Sequence, residues 1–253
     1  MRPFFLTLPW CWALLSAFML NPSQAAEVSV AVASNFSATL QKISAAFAQD
    51  TGHKVIPAFG STGALYAQIK NGAPFQVFLA ADDETPALLE KEGLAVAGSR
   101  FTYAVGRLAL WSADPAAVDG QGAVLRTGRF ERLALPNPKL APYGRAAMET
   151  LAALGLAQSL APRMVQGENV TQSYQFIRSG NATLGFVALS QIYQDGQLRE
   201  GSAWVVPAQM HAPIQQDAVL LEKGRSSAAA LAWMAYLRSD KARALIHAAG
   251  YSP

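Results

Sequence analysis

Small neutral side chains carrying hydroxyl or amide groups follow the ends of predicted strands and stand directly before predicted helices. The first such group follows the apolar run EVSVAVA, and the second follows KVIPAF. The first turn of a helix has unpaired N–H groups and a partial positive charge. Several such helix ends meeting at one place would form an anion site built from neutral donors. The six candidate residues at these junctions are Ser34, Asn35, Ser61, Thr62, Tyr143 and Val170.

Each of these residues taken alone is an ordinary helix cap, and the joint pattern carries the hypothesis. The pairs Ser34-Asn35 and Ser61-Thr62 follow consecutive strands, so both would open on the carboxyl edge of one sheet, where α/β proteins bind ligands. Neutral donors suit an anion that is fully ionised at neutral pH. A protonated phosphate would also need an acceptor, and Glu168 could supply one or could complement a helix dipole.

Other chemistry has little support in the sequence. The histidines His53, His211 and His247 have no second ligand at metal-binding spacing. The adjacent Asp82 and Asp83 could do acid–base work, but aspartate before a helix is usually a cap. The segment GSTG at 60–63 lacks the lysine of a phosphate-binding loop. An enzyme using Asp82 or Asp83 as a base therefore stays an alternative without a supporting motif.

Strands and amphipathic helices alternate along the chain, which predicts a parallel α/β architecture. A second series begins near residue 132, and we expect the last strand and helices to return to the first. The predicted strands are 27–33, 54–59, 75–81, 100–112, 132–137, 183–190, 203–208 and 216–224. The predicted helices begin at 34, near 62 and after Asp82-Asp83, and then cover 143–154, 169–179 and parts of 226–250.

The N-terminal 26 residues have the pattern of a secretory signal peptide. Arg2 precedes an apolar run that ends at Leu20, and Ser23-Gln24-Ala25 is a small-x-small cleavage signal. A membrane anchor is the alternative, but an anchor lacks such a site. Cleavage removes Cys11, the one cysteine, and lowers the formal net charge from +3 to +2. So small an excess gives no support to nucleic-acid binding.

Several segments together resemble the periplasmic molybdate-binding proteins of ABC-type uptake systems. They are ASNFSATLQKISAAF, FGSTGALYAQIKNGAPFQVFLAADDETPALLEKEGL, LALPNPKLAPYGRAAMETL, QGENVTQSYQFIRSGNATLGFVALSQ and QDAVLL, and the similarity covers about 27–250. The resemblance implies a type II periplasmic-binding fold, an α/β protein of two lobes with a ligand cleft between them. It implies a first lobe of 27–104 plus 217–253 and a second lobe of 105–216.

The resemblance also assigns ligand residues in the first lobe. The family's first ligand serine falls on Ser34, and in one branch the following residue, here Asn35, also donates. The second hydroxyl falls on Thr62 by count from Phe59, with Ser61 as a close competitor.

In the second lobe, the family's backbone donors fall on Tyr143 and Val170. Part of the family has a tyrosine hydroxyl after the Leu-Gly-x-Val strand, but this position is Ala188 here. We expect Asn35 to replace that hydroxyl.

The resemblance implies a periplasmic solute-binding protein that captures molybdate, and tungstate too, and delivers it to an ABC transporter permease in the inner membrane. It implies no cofactor, no catalytic step, no nucleic-acid partner and a monomer. The same fold binding sulfate or another small solute is the nearer alternative, and the carboxylate enzyme is the more distant one.

Overall fold

The computed structural model describes residues 25–252 as two five-stranded sheets with helices packed against them. This mixed α/β architecture agrees with the predicted fold class. The predicted signal peptide lies outside the described residues except for Ala25 and Ala26. Within 25–252, no helix combines the length and the hydropathy that a membrane crossing requires.

Strands and helices alternate through most of the chain. The strands are β1 (Glu27–Ala33), β2 (Lys54–Gly60), β3 (Val77–Leu79), β4 (Phe101–Gly106), β5 (Leu108–Ser112), β6 (Leu133–Pro136), β7 (Met164–Gly167), β8 (Leu184–Ala188), β9 (Tyr193–Gln194), β10 (Gln197–Leu198), β11 (Ser202–Val205) and β12 (Ile214–Leu220). The α-helices are α1 (Ser37–Thr51), α2 (Thr62–Lys70), α3 (Glu84–Lys91), α4 (Val124–Thr127), α5 (Pro142–Ala153), α6 (Ala157–Leu160), α7 (Val170–Arg178), α8 (Leu189–Ile192), α9 (Ala228–Leu237) and α10 (Asp240–Ala248).

The first sheet has the strand order β2-β1-β3-β12-β4. Strand β1 pairs in parallel with β2 and β3, whereas β12 is antiparallel to both β3 and β4. The expected return of the last strand to the first unit is therefore present, with β12 inserted between two earlier strands. The parallel strands β1 and β2 end at the same edge, as predicted, and place their following residues side by side.

The second sheet has the order β11-β5-β8-β6-β7. It begins inside the segment 100–112, which the sequence predicted as one strand. The structure breaks this segment at Arg107, and β4 belongs to the first sheet whereas β5 belongs to the second. A continuous apolar pattern cannot reveal this break, because both strands are buried on their sheets.

The first sheet includes several residues that the predicted limits assigned to the second lobe. Strand β4 runs to Gly106 and β12 begins at Ile214. We therefore propose that the chain crosses between lobes at Arg107 and again within 206–213. Below, the first lobe means 25–106 and 214–252, and the second lobe means 108–205.

Each lobe has its own apolar core. The first is built around Phe36, Phe47 and Trp233, which are fully buried between the sheet and helices α1 and α9. The second surrounds Phe186 and also takes in Ala33, from the end of β1 in the first lobe. The lobes are thus packed directly on each other near the ends of the strands that carry the candidate residues.

Candidate oxyanion site

All six residues predicted from the sequence line one small cavity between the lobes. Its volume is about 10 Å³, roughly the space that one water molecule needs and far below the roughly 300–1,000 Å³ of sites for drug-sized ligands. The cavity therefore admits only a small solute. Its lining consists of Ala33, Ser34, Asn35, Gly60, Ser61, Thr62, Ala81, Ala141, Pro142, Tyr143, Asn169 and Val170.

The hydroxyls of Ser61 and Thr62 differ in their partners. The Ser61 Oγ is buried and has no hydrogen-bond partner among the described residues, although Ser61 stands at the N-cap of α2. The Thr62 Oγ1 accepts the Ala81 N–H at 2.9 Å, which leaves its own proton free to donate. A buried hydroxyl without a partner costs free energy. The Ser61 hydroxyl is therefore the better candidate for a ligand donor, whereas counting along the sequence favoured Thr62.

Ser34 lies across the cleft from Asn169, a residue that the sequence analysis did not select. The Ser34 Oγ donates to Asn169 Oδ1 at 3.2 Å. The same Asn169 oxygen caps α7 by accepting the N–H groups of Thr171 and Gln172 at 3.0 and 3.1 Å. Asparagine before a helix is a recognisable cap signal, but nothing in the sequence shows that it meets Ser34.

The second lobe presents backbone N–H groups at the cavity. Val170 is the first residue of α7, and Tyr143 follows Pro142 at the start of α5. N–H groups at these positions have no intrahelical acceptor. Because Asn169 already pairs with two other N–H groups of α7, the Val170 N–H is left for a ligand.

The expected role of the Asn35 side chain, replacement of the hydroxyl missing at Ala188, stays a prediction. Asn35 lines the cavity, and its Nδ2 donates to Gln216 Oε1 at 2.9 Å and to the Tyr251 hydroxyl at 3.0 Å. To donate to a ligand, the amide would have to give up one of these two partners, which lie outside the lining. Ala188 itself is fully buried in the second core.

The cavity lining contains no Asp, Glu, Lys, Arg or His, and three helices of eight or more residues, α2, α5 and α7, begin at it. Their N-termini make the site mildly positive. The exposed Glu168 does not belong to the lining. A dianion would therefore meet donors without meeting a carboxylate.

Asp82, one residue beyond the lining, is the nearest candidate for acid–base work. Burial raises the pKa of its carboxyl, although an N–H bond from Thr85 opposes the shift. Its Oδ1 accepts that Thr85 N–H at 3.0 Å, so the predicted helix-capping role is confirmed for Asp82. Within 25–252, no group of three or more His, Cys, Asp or Glu residues is arranged to hold a metal ion.

Several contacts close the two lobes on each other around the cavity. The Gly63 N–H donates to the Leu140 carbonyl at 2.9 Å, and Thr171 Oγ1 donates to the Ser34 carbonyl at 3.1 Å. At the rim, Arg145 of the second lobe pairs with Glu84 of the first at 2.9 Å. This rim pair is exposed, so it contributes little to the free energy of closure.

The chain was compared with known proteins. A family model described as bacterial extracellular solute-binding protein matches residues 28–252. The molybdate-binding protein ModA of Azotobacter vinelandii is 56% identical over 239 residues, which make up 94% of this chain and 95% of that protein. ModA of Rhodobacter capsulatus is 49% identical over 231 residues, or 91% of this chain and 90% of that protein.

A solved structure has the same architecture. The periplasmic molybdate-binding protein of Azotobacter vinelandii aligns with a TM-score of 0.87 at 44% identity, covering 89% of this chain and 99% of that chain. The similarity therefore extends over both lobes and over the cavity between them.

Proposed function

Because the chain belongs to the family of bacterial extracellular solute-binding proteins, we propose that it binds molybdate between its lobes and performs no catalytic step. One observation carries the proposal: an uncharged cavity lined by donors from both lobes contains the buried, unpartnered hydroxyl of Ser61. The names of two relatives, 56% and 49% identical, support molybdate as the ligand.

The donors in this proposal come from both sides of the cleft. The first lobe supplies the hydroxyls of Ser34, Ser61 and Thr62, and the second supplies the N–H groups of Tyr143 and Val170. Fixed donors of this kind replace the hydration shell of an anion without a countercharge. Ser34 would turn its hydroxyl from Asn169 to the ligand, whereas Asn35 supports the site from behind.

The proposal extends to tungstate, because it is a tetrahedral dianion of the same charge and form. The proposal also includes an extracytoplasmic location after cleavage of the signal peptide, action as a monomer, and delivery of the ligand to an ABC permease. Family membership supports the location and the partner. The absence of a carboxylate from the cavity lining supports discrimination against protonated anions.

Calorimetric titration of the purified mature protein tests the proposal. We expect saturable binding of molybdate and tungstate and little heat from phosphate at the same concentration, because the phosphate proton would meet no carboxylate. Sulfate binding stronger than molybdate binding would favour the alternative of a sulfate-binding protein. In a parallel thermal melt, a ligand at 100 times its Kd adds about 2.7 kcal/mol to the free energy of unfolding. Absence of molybdate binding, or phosphate binding of equal strength, would overturn the proposal.

A further inference from the structure

A buried glutamine behind the cavity connects the two lobes. Gln216 lies in β12 and is fully buried. Its Oε1 accepts from Asn35 Nδ2 at 2.9 Å, and its Nε2 donates to the Tyr143 hydroxyl at 3.1 Å. Asn35 and Tyr143 both line the cavity, one in each lobe. One amide group thus holds a residue from each half of the proposed anion site.

An irregularity in the first sheet brings a third hydrogen-bonding partner to this amide. Gln216 is opposite Ala104 and Asp217 is opposite Thr102, which leaves Tyr103 as the extra residue of a bulge. Its hydroxyl lies 3.1 Å from Gln216 Oε1 and 2.9 Å from the Ala80 carbonyl. Bulges commonly re-aim side chains beside functional sites.

The glycine at the end of β4 leaves room for the hydrogen bond between Tyr143 and Gln216, which joins the two lobes. A Cβ on Gly106 would lie 2.2 Å from the Tyr143 hydroxyl and 2.6 Å from Gln216 Nε2. These distances exclude any larger residue unless the hydrogen bond breaks. Gly106 is also the last residue of β4, beside the proposed crossing at Arg107, so the bond lies where the lobes are joined.

The groups around the Gln216 amide bring no net formal charge next to it. Burial raises the pKa of the Tyr103 and Tyr143 hydroxyls well above their ordinary value, and burial raises the pKa of Tyr251 to about 12. The neighbouring carboxylate of Asp217 is paired with Arg100 at 2.5 Å. The phenols therefore stay protonated and keep Gln216 surrounded by neutral partners.

We propose that Gln216 is a positioning residue of the anion site, which holds the donor-bearing segments at Asn35 and Tyr143 in fixed relation across the cleft. The inference rests on the proposed function and deepens it. Glutamine suits this task because its oxygen accepts from the first lobe and its nitrogen donates to the second. The carboxyl of glutamate would bring a charge toward the bound dianion, and leucine would leave the donors unpaired.

Two deletions test the role directly. Gln216→Leu leaves one Asn35 N–H and the accepting Tyr143 hydroxyl without this partner, and we expect its molybdate affinity to fall about tenfold. Tyr143→Phe removes only the accepting hydroxyl, and we expect a loss of about threefold. The matched control is Tyr66→Phe, whose hydroxyl makes an exposed bond to Glu92 and does not belong to the cavity lining. Tyr143→Phe keeps the test available even if Gln216→Leu fails to fold.

The variant Gln216→Glu supplies a readout that a purely structural role would not change. A buried carboxyl has a raised pKa and ionises as the pH rises. We expect the molybdate affinity of this variant to fall at least fivefold between pH 6 and pH 8, while the parent affinity stays constant. Lower melting temperatures with unchanged affinity in all three variants would overturn the inference. Failure of the parent protein to bind molybdate would instead overturn the proposed function.

Discussion

The two lobes contribute to the cavity by different chemical means. The first lobe offers side-chain hydroxyls at Ser34, Ser61 and Thr62, whereas the second offers backbone N–H groups at Tyr143 and Val170. A hydroxyl can rotate and can find partners inside the protein when the ligand is absent. A backbone donor is fixed by its helix and is present whatever the side chain.

This difference separates two ways of changing the site. Substitutions at the first lobe's hydroxyls remove donors one at a time. At the second lobe, replacing the side chain of Val170 keeps the donor, and only a change of the backbone itself removes it. The side chain at Val170 can therefore vary more freely than the backbone geometry at this position can.

Val170→Pro is the strongest test of the backbone half. Proline removes the N–H and is well tolerated at the first residue of a helix, where α5 already has Pro142. The preceding Asn169 is extended, with φ −149° and ψ 173°, as proline requires. Loss of a charge-assisted hydrogen bond, about 1.5–3 kcal/mol, lowers molybdate affinity about tenfold to a hundredfold. Calorimetry measures this loss.

Ala228→Pro is the matched control, because Ala228 begins α9 after the extended residue Ser227 and does not belong to the cavity lining. It should melt and bind as the parent does. Unchanged binding by Val170→Pro would mean that the backbone donors of α7 take no part in the site.

Ser61→Ala tests the hydroxyl half with the least disturbance of the fold. Its Oγ has no protein partner, so removing it relieves the cost of burying it, and we expect a slightly higher melting temperature without ligand and an affinity about tenfold lower. Ser44→Ala removes another buried hydroxyl without a partner, from α1, and should also raise the melting temperature slightly but leave the affinity unchanged. Equal affinities for the two variants would contradict the proposed donor role of Ser61.

Thr62→Ala tests a hydroxyl that lines the cavity and also stabilises the fold, whereas the Ser61 hydroxyl has no protein partner. The substitution leaves the Ala81 N–H unpaired, so the free energy of unfolding should fall by about 1–3 kcal/mol. The affinity should fall several-fold. Thr62→Ser keeps the hydroxyl and should retain both properties. A stable Thr62→Ala protein would show that the Ala81 contact contributes nothing.

Asp82→Asn has the smallest expected effect and tests whether the first lobe's nearby charge matters. Burial raises the pKa of Asp82 in the folded protein above its ordinary value of 3.8. The free energy of unfolding therefore falls as the pH rises above 3.8 and through the pKa of the folded state. The variant should melt slightly higher than the parent at pH 7.5, and this difference should vanish below pH 3.8. Its molybdate affinity should rise about twofold, because less negative charge faces the anion.

The sequence predicted the parts of the site that depend on local pattern. Ser34, Ser61 and Val170 each lie at the start of a helix that follows a strand, and all three line one cavity. The strand and helix periods and the direction of parallel strands determine that these helix starts lie at the carboxyl edge of a sheet. The predicted strand 75–81 shortened to β3, because Ala81 turns its N–H away from the sheet toward Thr62.

The contacts that the sequence could not predict are all long-range. Asn35 pairs with Gln216 and Tyr251, which are 181 and 216 residues away, and no local pattern encodes such partners. Gln216 itself lies in the strand IQQDAVL and carries no motif. Asn169 had a visible cap signal, but its contact with Ser34 depends on how the lobes close.

The placement of β12 has a consequence for the order in which the lobes can form. Every strand of the second sheet lies within 108–205, so that lobe has all its strands before the chain reaches β12. In the first sheet, β4 pairs with β12 alone, and β12 comes more than a hundred residues later. Such long sequence separation delays pairing. As the chain emerges N-terminus first, the inserted second lobe can finish folding while the first waits for its C-terminal strand. Truncation before residue 214 would then leave an intact lobe attached to an incomplete one.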